Sequence, residues 1–373
     1  MKVALVYDRV NKWGGAERVL MALHELYPDA PLFTAVYNPK TARWADRFKV
    51  VPSFLNRLPF ASTFHELLPL LTPFAFEQFS FDEFDLVISV TSAEAKNIIT
   101  KPSTYHMCYC LTPTRYLWSG HELYMKKPGL GVFSGIGRIV FSTLTPMLRR
   151  WDLIASQRPD AYIAISEHVK DRIEKYYKRP VAAVIYPPLE TQAFLDTPVS
   201  QKTPCAGYFL TVSRLVSYKK IDLLIAVFNE LKLPLVIVGS GREEKKLKKI
   251  AGSTITFVTC HLTEKELVSY YDNCRAFVYA ADEDFGIVAG EAQARGKAVI
   301  AYKQSGVSEI VLDGKTGILF HDQKKESIKH AIKQFGETSI RAIDCKNQAA
   351  QFSKERFKES MSDLVNRVAM KGR

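Results

Sequence analysis

Short apolar runs alternate with amphipathic helical patterns along the whole chain. Residues 3–7, VALVY, form a continuous apolar run, which is typical of a parallel strand covered on both faces. A loop with Gly14 and Gly15 follows, and apolar residues then recur at helical spacing. Further strands are predicted at residues 85–90, 105–110 and 161–165. Ser166 stands where a helix would begin and is expected to cap it.

A second series of strands and helices begins after residues 184–190. Its strands are predicted at residues 208–213, 234–239, 254–259, 275–280 and 297–302. Alternating strands and helices imply parallel sheets with helices on both faces, and such sheets bind ligands at the carboxyl ends of their strands. The fold class predicted is therefore α/β, with two doubly wound, Rossmann-like domains facing a cleft.

The boundary between the two domains is predicted near the Pro187-Pro188 pair and the polar stretch that follows it. Prolines stiffen a connection and stop helices, so a domain is expected to end there. We expect an N-terminal domain over residues 1–190, a C-terminal domain over residues 191–352 and a terminal helix over residues 353–373.

The chain of 373 residues carries a net charge of +12, from 51 Lys+Arg against 39 Asp+Glu. This excess favours anionic partners such as nucleotides, phosphorylated lipids, an anionic membrane face or nucleic acid, although a solvated basic surface explains it equally. The N-terminus has no signal-peptide pattern, and no uncharged apolar run is long enough for a membrane span. The 6 cysteines form no Cys-x-x-Cys pair, which indicates reduced thiols in a cytosolic protein.

Two stretches fit the α/β pattern poorly. Residues 54–79 are rich in Leu, Phe and Pro, and residues 125–151 mix apolar residues with a basic fringe. Core and loop is the more common explanation of such stretches, and contact with a membrane interface or an apolar acceptor is the alternative. We expect a cytoplasmic protein, and these stretches leave open a peripheral position on the inner face of the cell membrane.

Candidate chemistry is concentrated in residues 282–296, DEDFGIVAGEAQARG. Glu283 follows the strand predicted at 275–280, and Glu291 lies about one turn into the next helix, so both are expected at the same sheet edge. Two carboxylates on either side of a phosphate suit the sugar and the ribose of a nucleotide diphosphate sugar. The simpler explanation is that acidic residues in the first turns complement the helix dipole.

The residues between these glutamates can approach a ligand through their backbone. Gly286 allows close approach, and the N–H groups of Ile287 and Val288 would face an anion at the helix N-terminus. Asp282 and Asp284 flank Glu283 in an extended segment, where successive side chains point to opposite sides. We therefore expect no metal ion between these two aspartates.

Basic residues follow another strand of the same predicted sheet. Ser213, Arg214 and Lys219 come after the strand at 208–213, and a guanidinium with an ammonium suits a diphosphate. A surface loop explains the same residues equally well when they are taken alone. The stretch GSGREE at 239–244 lacks the third glycine of a dinucleotide fingerprint, so it indicates only a tight turn.

Several motifs together resemble retaining glycosyltransferases of the two-domain GT-B fold in glycosyltransferase family 4. The matching stretches are GGAERV, YCLTPTRYLW, DAYIAISEHVKDRIEKYY, VIYPP, SRLVSYKKIDLLI, EDFGIVAGEAQARGKAVIAY and SEIVLDGKTGILF. The resemblance is closest to mannosyltransferase-like members that build bacterial surface polysaccharides. It implies an acceptor-binding first domain, a nucleotide-sugar-binding second domain and a terminal helix over 353–373 that packs back on the first domain.

The resemblance also implies the reaction and the role of each site residue. A hexose, with mannose from GDP-mannose as first choice, would pass to a saccharide acceptor, lipid-linked in the leading hypothesis, without a metal or another cofactor. Glu283 resembles the residue that contacts the donor sugar, and Glu291 the residue that holds the ribose hydroxyls. The other residues implied are Arg214 and Lys219 as the diphosphate clamp, Ser213 and Phe285 to Val288 (Phe285, Gly286, Ile287, Val288) as donor contacts, and Gly14 and Gly15 facing the diphosphate.

One position departs from the family pattern. Relatives often carry a histidine in a His-Thr-Pro turn near the reactive carbon of the sugar, and this chain has Leu111 there. His106 lies five residues earlier and is expected to be structural. Polar contacts to the sugar or the acceptor are instead expected from Thr112, Thr114, Arg115 and Tyr116.

Three other classes of function compete with a transferase. A nucleotide-sugar-binding protein without transfer activity is the main alternative, and Leu111 is the feature that favours it. The charge would also fit a nucleic-acid-binding protein, but no RNA- or DNA-binding signature is present and we expect no nucleic acid partner. A GT-B epimerase or phosphorylase is opposed by the family motifs.

Overall fold

The computed structural model describes residues 1–58, 70–126, 134–189, 207–260 and 262–371. The chain divides into two compact units, Met1–Tyr186 with Lys358–Arg373, and Pro187–Phe357. Parts of the two stretches that fitted the α/β pattern poorly, and the domain boundary predicted at 190/191, lie outside the described residues. No helix in the described part of the chain is long and apolar enough to cross a bilayer.

The first unit is built on a parallel sheet of seven strands. The strands are β1 Val3–Tyr7, β2 Leu32–Thr34, β3 Val50–Pro52, β4 Leu86–Thr91, β5 Tyr105–Cys110, β6 Ala161–Ala164 and β7 Val181–Val184. Their order in the sheet is β3-β2-β1-β4-β5-β6-β7, and every neighbouring pair is parallel. The order reverses between β1 and β4, so their carboxyl ends form a topological switch point.

In the first unit, α-helices follow β1, β3, β5 and β6. They are α1 Gly15–Leu26, α2 Thr72–Glu77, α3 His121–Lys126, α4 Ser134–Ala155 and α5 Glu167–Tyr177. Ser166 caps α5 as predicted, since its side chain accepts a hydrogen bond from the Val169 N–H.

The second unit contains a six-stranded parallel sheet. Its strands are β8 Tyr208–Val212, β9 Leu235–Val238, β10 Ile255–Val258, β11 Cys274–Tyr279, β12 Ala298–Tyr302 and β13 Gly317–Phe320. The order β10-β9-β8-β11-β12-β13 places the reversal between β8 and β11. Along β8, Tyr208 and Leu210 pack into one core cluster and Phe209 into the other, so the sheet is covered on both faces.

In the second unit, α-helices join the successive strands from β8 to β12, and two further helices follow β13. They are α6 Ile221–Leu231, α7 Glu244–Ile250, α8 Glu264–Asn273, α9 Ile287–Ala294, α10 Lys325–Glu337 and α11 Ala342–Ala349. The last helix, α12 Lys354–Lys371, begins in the second unit. From Lys358 onward it belongs to the first unit, where the Lys358 ammonium pairs with Glu25 of α1 at 3.0 Å.

The prediction of two parallel-sheet, Rossmann-like units is confirmed. Each predicted strand is present, with ends that differ by at most one residue. Four further short strands, β2, β3, β7 and β13, were not predicted. Each has only three or four residues, and β3 and β7 are half-exposed edge strands without a continuous buried run.

Candidate active site

Most of the residues that were predicted to bind the sugar donor lie at the switch point of the second sheet. Strands β8 and β11 are hydrogen-bonded neighbours, and the connections that follow them run in opposite directions. Residues 213–220 follow β8, and residues 280–286 follow β11. Ligands of doubly wound sheets bind at this place, because the two loops separate and leave a crevice at the carboxyl edge.

A lysine, a tyrosine and a glutamate form a buried cluster at this edge. The Lys219 ammonium donates to the Tyr279 hydroxyl at 2.7 Å and forms an ion pair with Glu283. The Tyr279 hydroxyl in turn donates to Glu283 Oε2 at 2.5 Å. The sequence predicted Lys219 and Glu283 at one edge, and the structure places them in direct contact.

The electrostatics of this cluster favour a charged lysine. Burial by itself would lower the pKa of Lys219, but the Glu283 carboxylate and the hydroxyls of Tyr279 and Tyr218 outweigh it and raise that pKa. The pKa of Tyr279 is raised by burial and by the Glu283 carboxylate, so this hydroxyl keeps its proton. The site therefore holds a permanent positive charge that can be shared with an anionic ligand.

Tight local backbone brings Lys219 to the cluster. The Ser217–Lys219 turn is a single 3-10 turn, and Lys220 then takes the left-handed φ of 55° just before α6 begins. A left-handed conformation at a non-glycine residue costs energy and is retained where the surroundings demand it. Arg214 is exposed on the same loop, where its guanidinium donates to the Tyr218 hydroxyl at 2.6 Å. Ser213 is half-buried beside it.

Gly286 shapes the segment from Glu283 to α9. Gly286 has a left-handed φ of 94°, and a Cβ there would lie 2.5 Å from Val307 Cγ2. The first N–H groups of α9, including those of Ile287 and Val288, have no partner within the helix. Phe285 is buried and packs edge-on against Phe352, with ring centroids 5.4 Å apart. Its side chain is therefore part of the core, and only its backbone can contribute to a ligand cradle.

Gly306 supports this segment from the loop after β12. Its N–H donates to the Glu283 carbonyl at 2.7 Å, and a Cβ at this position would lie 2.1 Å from the Asp284 carbonyl oxygen. The close approach of the two loops therefore requires glycine. The stretch KQSGVSE carried no signal for this role, because the partner loop is far away in sequence.

We expect Gly306→Ala to displace the 282–286 loop and to cost about 1–3 kcal/mol of unfolding free energy, because the added methyl meets backbone rather than a flexible side chain. Equilibrium denaturation measures this cost. Gly336→Ala on α10 is the matched control, since nothing lies within 4 Å of its Cβ position, and it should leave stability unchanged or slightly raised. Equal stability of the two variants would contradict the contact.

The second motif glutamate is held by another tyrosine. Glu291 is buried on α9, and its Oε2 accepts a hydrogen bond from the Tyr271 hydroxyl of α8 at 2.9 Å. The two helices are also joined by a buried bidentate ion pair, in which Arg295 donates to both oxygens of Asp272 at 2.7 Å. Tyr271 and Tyr279 were both missed from sequence, although each hydroxyl contacts one of the predicted glutamates.

A cavity opens beside the switch point, at the carboxyl ends of β8, β9 and β10. Its volume is about 410 Å³. The residues that line it are Val212, Val238, Gly239, Ser240, Thr259, Cys260, Leu262 and Leu267. The lining is largely apolar and can receive a planar ring. Gly239 helps to shape it, since a Cβ there would lie 2.0 Å from the Ser213 carbonyl oxygen.

In the first unit, the predicted glycine loop follows β1 at the corresponding switch point. Gly14 is half-buried and Gly15 is exposed at the start of α1. Glu17 is buried beneath them and accepts a hydrogen bond from the Tyr7 hydroxyl at 2.7 Å. Burial raises the pKa of Glu17. A Cβ on Gly14 would lie 3.1 Å from the Glu17 carboxylate, so the loop sits closely over this side chain.

Thr114, one of the predicted polar contacts, lies in a network of hydrogen bonds within the first unit. This side chain is buried, and its hydroxyl donates to Asp152 Oδ1 at 2.7 Å. Lys96 donates to Thr114 Oγ1 at 3.1 Å and pairs with Asp152 at 2.6 Å. Thr114 therefore belongs to a buried network that ties the segments after β4 and β5 to α4, and its hydroxyl is hydrogen-bonded within the fold.

The other residues of the first unit that were predicted to contact the sugar or the acceptor differ in how far they are buried. Thr112 is buried, and its hydroxyl has no hydrogen-bond partner among the described residues. Arg115 and Tyr116 are half-buried, and the Tyr116 hydroxyl donates to Glu94 at 2.5 Å. Leu111 is half-buried at the end of β5.

His106 is a core residue of β5. Its ring is buried, and Nε2 lies 2.8 Å from the Ser89 hydroxyl of the neighbouring strand. Burial, with a smaller effect of the Arg158 charge, lowers the pKa of His106 to about 3. The described residues contain no group of three or more His, Cys, Asp or Glu side chains placed to share a metal ion.

Curated relatives are similar to this chain over about half of its length. An uncharacterized glycosyltransferase of Methanocaldococcus jannaschii is 28% identical over 218 residues, which cover 54% of this chain and 55% of that protein. A GDP-mannose-dependent alpha-(1-6)-phosphatidylinositol monomannoside mannosyltransferase of Mycolicibacterium smegmatis is 28% identical over 233 residues, which cover 53% of this chain and 61% of that protein. The chain spans about half the length of the curated relatives it matches.

The crystal structure of Anabaena Alr3699/HepE in complex with UDP and glucose has the same fold. The TM-score is 0.70 at 18% identity, and the match covers 98% of this chain and 99% of that chain. Residues 199–352 match the family model described as Glycosyl transferases group 1. This range contains both glutamates and the basic loop of the candidate site. Residues 199–352 thus match a Glycosyl transferases group 1 domain, in a chain that has the fold of solved glycosyltransferase structures such as WaaG.

Proposed function

We propose that the protein is a retaining glycosyltransferase that moves a hexose from a nucleotide diphosphate sugar to a saccharide acceptor. The observation that carries this proposal is the Lys219–Tyr279–Glu283 cluster at the switch point of a group 1 domain, next to the N-terminus of α9. A cation, a carboxylate and unsatisfied helix N–H groups together match a sugar bonded to a diphosphate.

We propose one orientation of the donor along the site. The diphosphate would contact Arg214, Lys219 and the first N–H groups of α9, and the sugar hydroxyls would contact Glu283. Glu291 would hold the ribose hydroxyls by exchanging or sharing its bond with Tyr271. The cavity of about 410 Å³ beyond β8 would take the base. Mannose from GDP-mannose is our first candidate, and it is supported by the similarity to the Mycolicibacterium smegmatis enzyme.

The proposed transfer reaction depends on stabilising the negative charge that develops on the leaving diphosphate. The bond between the anomeric carbon and the diphosphate oxygen breaks through an oxocarbenium-like state, and negative charge grows on the leaving diphosphate. Arg214, Lys219 and the α9 N-terminus would stabilise that charge without a metal ion. The acceptor oxygen then bonds to the anomeric carbon on the same face, and its proton passes to the leaving phosphate oxygen, so that the configuration is retained.

A lipid-linked saccharide is the acceptor that we propose. The net charge of +12 favours an anionic acceptor, and the mannosyltransferase of Mycolicibacterium smegmatis is named for a phosphatidylinositol monomannoside. The protein would then work in polysaccharide or glycolipid synthesis, in the cytoplasm and peripherally on the inner face of the cell membrane.

A thermal-shift experiment with GDP-, UDP- and ADP-sugars tests the donor site. We expect one of these donors to raise the melting temperature, since a ligand at a hundred-fold excess over its Kd adds about 2.7 kcal/mol to the folded state. Arg214→Ala should reduce the shift strongly because a diphosphate contact is lost. Lys245→Ala, an exposed cation on α7, is the matched control and should keep the full shift.

Two outcomes would count against the proposal. If no nucleotide sugar shifts the melting temperature, the donor site is wrong. If a donor binds but neither donor hydrolysis nor transfer by the wild-type protein is detected, the nucleotide-sugar-binding alternative replaces the transferase. Activity that is present in the wild type and lost in Glu283→Ala excludes that alternative.

A further inference from the structure

The loop that follows β1 carries an exposed tryptophan. Trp13 is 51% exposed, and it directly precedes Gly14 and Gly15 of the glycine loop. Tryptophan is on average a highly buried residue. Within residues 2–53, all of which the structure describes, no other large apolar side chain is exposed. This indole ring therefore lies in solvent at the carboxyl edge of the first sheet, where doubly wound sheets bind their ligands.

A second tryptophan supports the exposed ring. Trp44 packs against Trp13 with ring centroids 6.2 Å apart and ring planes inclined by 60°. Trp44 is half-buried, its indole N–H donates to the Lys12 carbonyl at 2.8 Å, and its ring meets the buried Phe48 edge-on at 5.8 Å. We call Trp13 and Trp44 the tryptophan pair. Because Trp44 is fixed on two sides, the pair is ordered before a ligand arrives, and less entropy is lost on binding.

Polar side chains surround the tryptophan pair. In the two loops that form it, residues 9–14 and 37–48, the exposed charged side chains are Lys12, Lys40, Arg43, Asp46 and Arg47. A protein partner or an apolar surface requires a contiguous apolar patch, which these two loops do not offer. A pyranose has one apolar face of C–H groups and a rim of hydroxyls. A single aromatic face with cationic donors around it is complementary to such a ring.

We propose that Trp13 is a stacking platform for a pyranose ring of the saccharide acceptor. The negative face of the indole would contact the C–H groups of the sugar, and the cations of the two loops would donate hydrogen bonds to its hydroxyl oxygens. The inference rests on the proposed function, since that function supplies a saccharide acceptor. The glutamates and the cavity that would hold the sugar and the base of the donor belong to the second unit, whereas the tryptophan pair belongs to the first.

Fluorine NMR of the full chain labelled with fluorotryptophan tests the platform without a sugar donor. The chain has 4 tryptophans, and the resonance of Trp13 is assigned by its loss in Trp13→Phe. We expect at least one of the methyl glycosides of mannopyranose, glucopyranose and galactopyranose to move this resonance at millimolar concentration. The resonances of Trp118 and Trp151 should stay in place. Glycerol, which has hydroxyls but no pyranose face, should move none of them.

Variants test the role of the ring. Trp13→Ala should weaken binding of the same glycoside at least about ten-fold, measured by saturation transfer to its C–H protons, and Trp13→Phe should weaken it less because an aromatic face remains. Phe74→Ala on α2 is the matched control, since Phe74 is also 51% exposed, and it should bind like the wild type. Circular dichroism establishes that each variant is folded.

A nucleoside diphosphate distinguishes the acceptor from the donor sugar. The Trp13 resonance should still respond to the glycoside when GDP, UDP and ADP are present in excess, and Trp13→Ala should keep the thermal shift that a nucleotide sugar produces. Three results would overturn the proposal: no response of Trp13 to any of the glycosides, equal binding by Trp13→Ala and Phe74→Ala, or a response that the nucleoside diphosphates abolish. If no nucleotide sugar shifts the melting temperature while the glycosides still act through Trp13, the proposed function fails and the saccharide platform is retained.

Discussion

Lys219→Met is expected to lower the unfolding free energy by about 3–5 kcal/mol and to reduce transfer at least about hundred-fold. The stability loss follows because Glu283 would stay in a largely buried site without the ammonium that pairs with it. The Tyr279 hydroxyl can donate only one hydrogen bond to that carboxylate. Transfer falls because the diphosphate loses a cation that compensates its growing charge.

A double variant separates these two effects. Lys219→Met combined with Glu283→Met removes both charges, and replacing a buried pair by apolar groups of similar size is often neutral for stability. We therefore expect the double variant to recover much of the lost stability and to remain inactive. Equilibrium denaturation gives the first quantity, and transfer of labelled sugar from the donor gives the second.

An exposed ion pair provides the control. Lys248 and Glu244 pair on the surface of α7 at 2.7 Å, and Lys248→Met should change stability by less than about 1 kcal/mol. The argument fails if Lys219→Met is as stable as the wild type, or if the double variant is no more stable than the single one.

The long central strands could be predicted because burial on both faces leaves a mark in the sequence. β1 and β9 are continuous apolar runs that are buried throughout for this reason, whereas the edge strands β3 and β7 have only three or four residues, none of them fully buried. The order of strands within each sheet depends on pairing between segments that are distant in sequence. Local hydrophobic periodicity therefore does not predict this order. Parallel pairing and right-handed crossovers only narrow the choices.

The residues of the candidate site could likewise be predicted only where the local sequence determines their position. Glu283 and Glu291 follow from the order of strand, loop and helix, which determines the sheet edge where each residue lies. Tyr271 and Gly306 act through contacts with segments that are distant in sequence, so no local pattern points to them. The hydrogen bond that Thr114 donates to Asp152 of α4 likewise joins segments that are distant in sequence, so no local pattern indicates it.

The free energy of unfolding is expected to decrease as the pH is lowered, because His106 is buried in its neutral form. Burial, and to a smaller extent Arg158, lowers the pKa of this imidazole to about 3 in the folded state. In the unfolded chain a histidine has a pKa of about 6.5, so below that pH the unfolded state binds a proton that the folded state excludes. The resulting loss between pH 6.5 and roughly pH 4 is about 3 kcal/mol.

A variant isolates this contribution from the other titrating groups. His106→Gln keeps a polar nitrogen that can reach the Ser89 hydroxyl, now 2.8 Å from the imidazole Nε2, but it cannot bind the proton. The variant is expected to be less stable than the wild type at neutral pH, since glutamine fills the buried site imperfectly. Its unfolding free energy should depend less on pH, so the gap between the two proteins narrows by about 3 kcal/mol as the pH falls to roughly 4.

Denaturation curves at several pH values measure this gap, and His330→Gln on the exposed side of α10 serves as the matched control. The direction in which the gap changes with pH tests the prediction. A gap that stays constant with pH would mean that His106 gains no proton on unfolding, and a gap that widens would mean that the folded state binds the proton more tightly. Either result would contradict a neutral imidazole held by burial between β4 and β5.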